Sequence, residues 1–371
     1  MQKKSDVLII GGGIIGCAIA CHLADARKVT VIEAAGLCKE ASWAAAGMLA
    51  PCAEMFHHLP EPMQRFMFKS AALYDDFIAG LVEDSGVYIN YQKQGSLIVA
   101  FDYQESRLLA GLLERLNKAD LSVEIIEHKQ LRLQQPGLAE NIESALFLPQ
   151  DKHVNPRQLA NALISACHRK GVNFQIGEPA VSLELRGGEI QSVQTSNEKY
   201  FADNYLIAAG AWSGGLLKSI GYNFPVRPIR GQIIELWAQP QSIRQLLHTS
   251  GCYMAPWPDG RTLIGATMEN AGFDKNVSAG GVAKLLNAAM KAVPGLKSAT
   301  IGQTWTGLRP DTSDNMPIIG ATPVANLFMA TGHFRNGILL APGTARLIGD
   351  LLEGRNIAND IEAFRASRFI D

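Results

Sequence analysis

A chain of 371 residues has room for two domains or one large composite with a substantial core. Its 34 Lys and Arg nearly balance 35 Asp and Glu, and no basic run stands out, so nothing suggests a nucleic-acid surface. Residues 1–6 are polar and the first apolar run is cut short by glycines; no later run would span a bilayer, so no membrane segment and a cytoplasmic location are expected.

The first apolar run predicts a strand over 6–10, and Gly11-Gly12-Gly13-Ile14-Ile15-Gly16 follows it. A helix over 14–26 and a second strand over 29–33, ending in Glu33, complete a βαβ unit. In such a unit the helix N-terminus receives a pyrophosphate. Gly11 permits the tight turn, Gly13 lets phosphates approach the backbone, and Gly16 lets helix and strand pack closely. Glu33 stands where a carboxylate accepts hydrogen bonds from an adenosine ribose. A GxGxxG alone recurs in many turns; its place between strand and helix, with the acid downstream, gives it weight.

A loop of small residues, Ala41-Ser42-Trp43-Ala44-Ala45-Ala46-Gly47-Met48, comes next, then one long amphipathic helix over 62–84. A strand over 95–101 and a helix over 104–118 follow. Asn155 and Pro156 supply an N-cap and a first helical residue for a helix reaching 170. Residues 172–176 read as a strand, Gly187-Gly188 as a hairpin turn, and 205–210 as a buried strand leading to a helix at Trp212. From 226 the pattern changes to strands over 226–237, 251–257, 262–267 and 301–308, with Pro258-Asp259-Gly260 turning one hairpin. These suggest an antiparallel sheet. A buried strand over 327–330 and a helix over 338–352 return to the earlier style.

The fold class expected is α/β, a nucleotide-binding Rossmann domain with an antiparallel sheet inserted in it. The nucleotide domain would comprise 1–84, 145–225 and 310–371, and the inserted domain 85–144 and 226–309. Six cysteines, Cys17, Cys21, Cys38, Cys52, Cys167 and Cys252, form no CxxC pair, so neither a zinc ribbon nor a redox dithiol is indicated. His57-His58 reads as part of a solvated loop, and no metal site is expected.

Two further glycine-bounded strand ends stand out. Ala208-Ala209-Gly210-Ala211-Trp212 is explained equally well by strand-to-helix packing. Thr331-Gly332-His333-Phe334-Arg335-Asn336-Gly337-Ile338 places three polar side chains, costly to bury unpaired, where a strand meets a helix. That helix N-terminus would favour the negative charge a flavin ring gathers on reduction.

Together, the 7–16 run with Glu33, Ala44-Ala45-Ala46-Gly47-Met48, Gly307-Leu308-Arg309-Pro310 and the 332–338 segment resemble the FAD-dependent D-amino-acid oxidase family. More narrowly, they resemble its glycine oxidase branch, which supplies dehydroglycine for the thiazole of thiamine. The resemblance implies a glutathione-reductase-like FAD domain beside a sheet that walls the substrate pocket. It implies noncovalent FAD held by Ile14, Ile15, Glu33, Ala34, Ser42, Ala46, Gly47, Met48, the backbone near Ala180, and His333, Phe334, Arg335, Asn336, Gly337, Ile338 and Leu339. Arg309 matches the arginine that binds the substrate carboxylate, Arg335 a second substrate-side arginine, Tyr253 a pocket tyrosine, and Met268 a residue lining the same cavity. The Arg27-Lys28 pair departs from the glycine many flavoproteins carry ahead of the second strand, which touches helix termination only.

The reaction implied is oxidation of glycine, sarcosine or small D-amino acids by hydride transfer to FAD. Molecular oxygen would be reduced to hydrogen peroxide. The imine would hydrolyse to the 2-oxo acid and ammonia or pass to thiazole synthase, and a homo-oligomer is expected. No Asp or Glu within these motifs offers an obvious base, so the ammonium proton would go to solvent or to an acceptor outside them. Arg309 has an alternative reading, as a structural partner of Asp311 or Asp314. At the level of function the alternatives are a sarcosine-type secondary-amine oxidase, a D-amino-acid dehydrogenase reducing a quinone, a flavin-binding subunit without turnover, and an NAD-dependent dehydrogenase.

Overall fold

Val7, Leu8, Ile9 and Ile10 are buried on both faces of their strand, as expected for the middle of a parallel sheet covered by helices on each side. The computed structural model describes residues 4–238, 243–355 and 357–369. Ser5–Ile10 lies inside a six-stranded sheet of order Ile318–Ala321, Leu327–Thr331, Ala202–Ile207, Ser5–Ile10, Val29–Glu33, Asn173–Ile176. Every pairing is parallel except that of the outermost Ile318–Ala321. The glycine turn, the 208–212 turn and the 332–336 loop therefore leave the same, carboxyl-terminal edge, where open α/β sheets bind their ligands. Helix Ile14–Leu23 packs beneath it against Gly337–Leu352, with Cys17 and Cys21 buried in that core.

A second sheet of eight strands carries, in order, Thr300–Asp311, Arg227–Trp237, Arg261–Gly265, Tyr253–Pro256, Leu246–His248, Ser96–Ala100, Ser144–Leu148 and Glu124–Glu127. It is antiparallel but for one parallel pair, Leu246–His248 with Ser96–Ala100. We propose the two-domain partition on these sheets. Its boundary at 144/145 moves beyond Leu148, because Ser144–Leu148 is hydrogen-bonded along its length to the large sheet.

Two sequence expectations change. The single helix over 62–84 is two, Glu61–Ala72 and Tyr74–Ser85, turned at Leu73. The turn lets Ser70 and Tyr74 donate their hydroxyls to the Leu339 and Ile338 carbonyls of the helix beneath, where Pro342 has no N–H to offer the Ile338 carbonyl. The helix at Trp212 begins as a 3-10 turn, Gly210–Trp212, before Ser213–Lys218. The Asn155 cap forms as read, its side chain accepting from the Arg157 and Gln158 amides. Among the described residues no helix is long and apolar enough to cross a membrane.

Candidate active site

A cavity of about 760 Å³ runs from the carboxyl edge of the parallel sheet to one face of the large sheet. Its first half is made of backbone and small side chains. Gly11 adopts φ +110°, and a Cβ there would press on the Ala208 carbonyl. Gly13 has ordinary extended dihedrals, and a Cβ on it would meet only Ser42 Oγ, at 3.5 Å. No side chain caps the helix at Gly13, and Ser42 Oγ accepts from the Ile14 amide at 2.9 Å. Glu33 accepts from the Gly12 amide at 2.7 Å and the Ala35 amide at 3.0 Å, so it braces the glycine turn while keeping lone pairs for a ribose.

Ile14, Ile15, Ala34, Ala46, Gly47, Met48 and Ala180 all line this half. The small-residue loop is pinned from behind. Trp305 Nε1 donates to the Ala44 carbonyl at 3.1 Å, and the Arg157 guanidinium lies 3.8 Å over Trp43. Two expected cofactor residues fall outside the lining. Gly16 sits under Gly11, where a Cβ would overlap the Gly11 carbonyl. Leu339 is buried, its carbonyl taken by Ser70. Both support the site without facing it.

The 331–338 segment closes the cavity from the other side. Phe334 holds the left-handed conformation, φ 47°, and its amide donates to the Pro310 carbonyl at 2.9 Å. His333, Asn336, Gly337 and Ile338 line the space, and helix Gly337–Leu352 opens on it with no side-chain cap. Two helix N-termini, one with its Ile14 amide held by Ser42 Oγ and the other without a side-chain cap, thus face one cavity together with an open Gly13. That arrangement fits a pyrophosphate at one end and an electron-rich ring at the other.

The second half is a wall of the large sheet. Gly265 pairs with Tyr253, and a Cβ on Gly265 would overlap the phenol ring that lies across it. Gly231 likewise leaves the space that the Arg309 guanidinium fills. Arg309 donates to the Thr267 carbonyl at 3.0 Å and, among the described residues, has no carboxylate partner. The alternative partners are engaged elsewhere, Asp311 with Arg227 at 2.9 Å and Asp314 with Arg368 at 2.7 Å. Burial pushes the Tyr253 hydroxyl up to about 12, which keeps it a protonated donor. Met268 reaches the cavity from its rim, 60% exposed.

Arg335 lines the cavity as expected, and it is paired there with a carboxylate. It donates Nε to Glu54 at 2.9 Å, and Asn336 donates to the same Glu54 oxygen at 3.1 Å. Glu54 ends the short helix Pro51–Glu54 and lines the cavity, so a carboxylate does stand in the site, supplied from outside the sequence motifs. His57, at the end of the 3-10 turn Met55–His57, also lines the cavity while staying exposed to solvent. His248, the cross-strand neighbour of Tyr253, completes this corner, with its Nε2 buried and unpartnered. No periodicity signalled His248, since Leu246–His248 is only three residues long.

Three histidines are held neutral by burial, His333 down to about 3 and His153 and His248 to about 4. A folded-state value below the ordinary one means stability is present above pH 6.5 and is lost as pH falls towards the folded value. At pH 5 each costs about 2 kcal/mol relative to pH 7. Asp151, raised to about 7 by burial, acts in the opposite sense and offsets roughly one of them. The thermal midpoint should therefore drop between pH 7 and pH 5; a flat or rising midpoint would contradict these burials.

The FAD dependent oxidoreductase family model, DAO, matches residues 6–351. A glycine oxidase of Bacillus licheniformis is 35% identical over 373 residues, covering 99% of this chain and 98% of that protein. The bifunctional protein ThiO/ThiG of Synechocystis is 36% identical over the whole chain, which spans 55% of that longer protein. Among solved structures, glycine oxidase from Geobacillus kaustophilus superposes with a TM-score of 0.95 at 32% identity, covering both chains completely.

Proposed function

This chain belongs to the DAO family of FAD-dependent oxidoreductases and is an FAD-dependent amino-acid oxidase; from that premise we propose that it oxidises glycine and other small amines, including sarcosine and small D-amino acids. The observation that carries this reading is the Arg309 guanidinium, facing the cavity with, among the described residues, only the Thr267 carbonyl as hydrogen-bond partner. A planar fork without a carboxylate is matched to the carboxylate of an amino acid. Tyr253 beside it adds a neutral donor, so the two together fix the carboxylate end. The remainder of the cavity holds the α-carbon against the flavin position.

Bound FAD supplies the two-electron oxidation of amine to imine by accepting hydride, with oxygen as final acceptor and hydrogen peroxide as product. Ile14, Ser42 and Gly47 would hold the dinucleotide end, and the N-terminus at Gly337 the ring. The substrate must lose its ammonium proton first, and solvent at the cavity mouth would take it, since His248 is held down to about 4 by burial and resists protonation. The imine then hydrolyses to the 2-oxo acid and ammonia or is taken up by thiazole synthase, a reading supported by the fused ThiO/ThiG relative. FAD would be held noncovalently, since the sequence carries no cysteine after Cys252 for attachment near the C-terminal FAD segment.

The reading is tested by steady-state release of peroxide and ammonia. Tyr253, lying flat over Gly265, limits the space beside the anchor, so glycine, sarcosine and D-alanine should have specificity constants at least tenfold above that of D-phenylalanine. Equal values for D-phenylalanine and glycine would refute the narrow pocket.

A further inference from the structure

The cavity contains two arginines in unlike electrostatic states. Arg309 has no carboxylate partner among the described residues, whereas Arg335 is paired with Glu54 at 2.9 Å. Both side chains of that pair are largely withdrawn from solvent, 21% and 15% exposed, where a charge partner matters more than at the surface. We propose that Glu54 sets the charge class of the substrate: by neutralising Arg335 it leaves Arg309 as the sole free carboxylate anchor, so the cavity accepts monocarboxylic amines and rejects those with a second carboxylate. The proposal rests on Arg309 being the anchor for the first carboxylate.

Glu54 is built to stay there. One of its oxygens accepts from both Arg335 and Asn336, the two residues just ahead of the Gly337 helix. Its own helix, Pro51–Glu54, is fastened at the other end by Asp151, which is fully buried and accepts from the Cys52 amide at 3.0 Å, the Ala53 amide at 3.2 Å and Ser96 Oγ at 2.7 Å. The neighbouring His248 is held down to about 4 by burial and adds no positive charge to the corner, while partial desolvation and the nearby Arg335 charge lower the His57 imidazole below its ordinary value. A second substrate carboxylate entering at the Glu54 corner would meet a fixed like charge and, among the described residues there, a cation already paired with it. An uncharged substituent would meet neither penalty.

The isosteric Glu54→Gln removes the charge, keeps an oxygen for Asn336, and frees Arg335. In the FAD-loaded enzyme, the D-aspartate to D-alanine ratio of kcat/KM should rise at least tenfold, through KM rather than kcat. Malonate should gain affinity over acetate by a similar factor, read from the flavin spectrum without turnover. Glu54→Asp, which keeps the charge, should stay near wild type, and Glu54→Gln/Arg335→Gln should lose the gain. Ratios that do not move in Glu54→Gln, or that move equally in Glu54→Asp, would overturn the proposal. Failure of the underlying reading is separately visible: acetate would then bind Arg309→Ala as it binds wild type.

Discussion

Arg309→Ala should raise the glycine concentration needed for half-maximal turnover by about two orders of magnitude or more, with FAD content and folding unchanged. A carboxylate on the guanidinium fork makes charge-assisted hydrogen bonds of about 1.5–3 kcal/mol each. At roughly 1.4 kcal/mol per tenfold, two of them account for the effect. Folding should survive because Arg309 contributes one bond, to the Thr267 carbonyl, and no ion pair among the described residues. Arg309→Lys retains the charge and loses the fork, so it should fall between the two. Binding of glycolate, read as a perturbation of the flavin spectrum, should weaken in parallel. An Arg309→Ala protein that binds glycolate as wild type does would remove this residue from the active site.

Gly13→Val should abolish cofactor retention while leaving the fold in place. The three glycines of the turn separate these two effects. A Cβ on Gly11 or Gly16 collides with the protein's own backbone, so substitution there costs folding. A Cβ on Gly13 meets only Ser42 Oγ at an ordinary 3.5 Å, in dihedrals that any residue adopts. The space it would fill is the one a pyrophosphate needs at the helix N-terminus. The flavin-to-protein absorbance ratio of the purified variant should approach zero, with a wild-type far-UV spectrum. Stoichiometric flavin in Gly13→Val would contradict the placement of the dinucleotide.

Much of the cofactor half was legible in the sequence because it depends on backbone. Glycines at 11, 13 and 47, the small residues between them and the acid at the end of the second strand are local requirements, and they stand in the chain in the order the site uses them. Arg309 and Tyr253 were readable only through the resemblance. Their spacing in the chain says nothing of the adjacency that two sheet glycines, Gly231 and Gly265, create. Glu54, His57 and His248 could not be found from pattern at all. Glu54 sits on a four-residue helix and reaches Arg335 across 281 positions, and His248 enters through the cross-strand pairing with Tyr253. The turn at Leu73 escaped notice for a related reason. The hydroxyls of Ser70 and Tyr74 find their carbonyls on a helix far along the chain.

The most direct test of the amine-oxidase reading is anaerobic mixing of the holoenzyme with glycine, sarcosine and D-alanine while the flavin spectrum is recorded, followed by admission of air. The oxidised flavin band should bleach with each amine, and air should restore it with formation of hydrogen peroxide. A flavin band that none of the three amines bleaches would contradict the account.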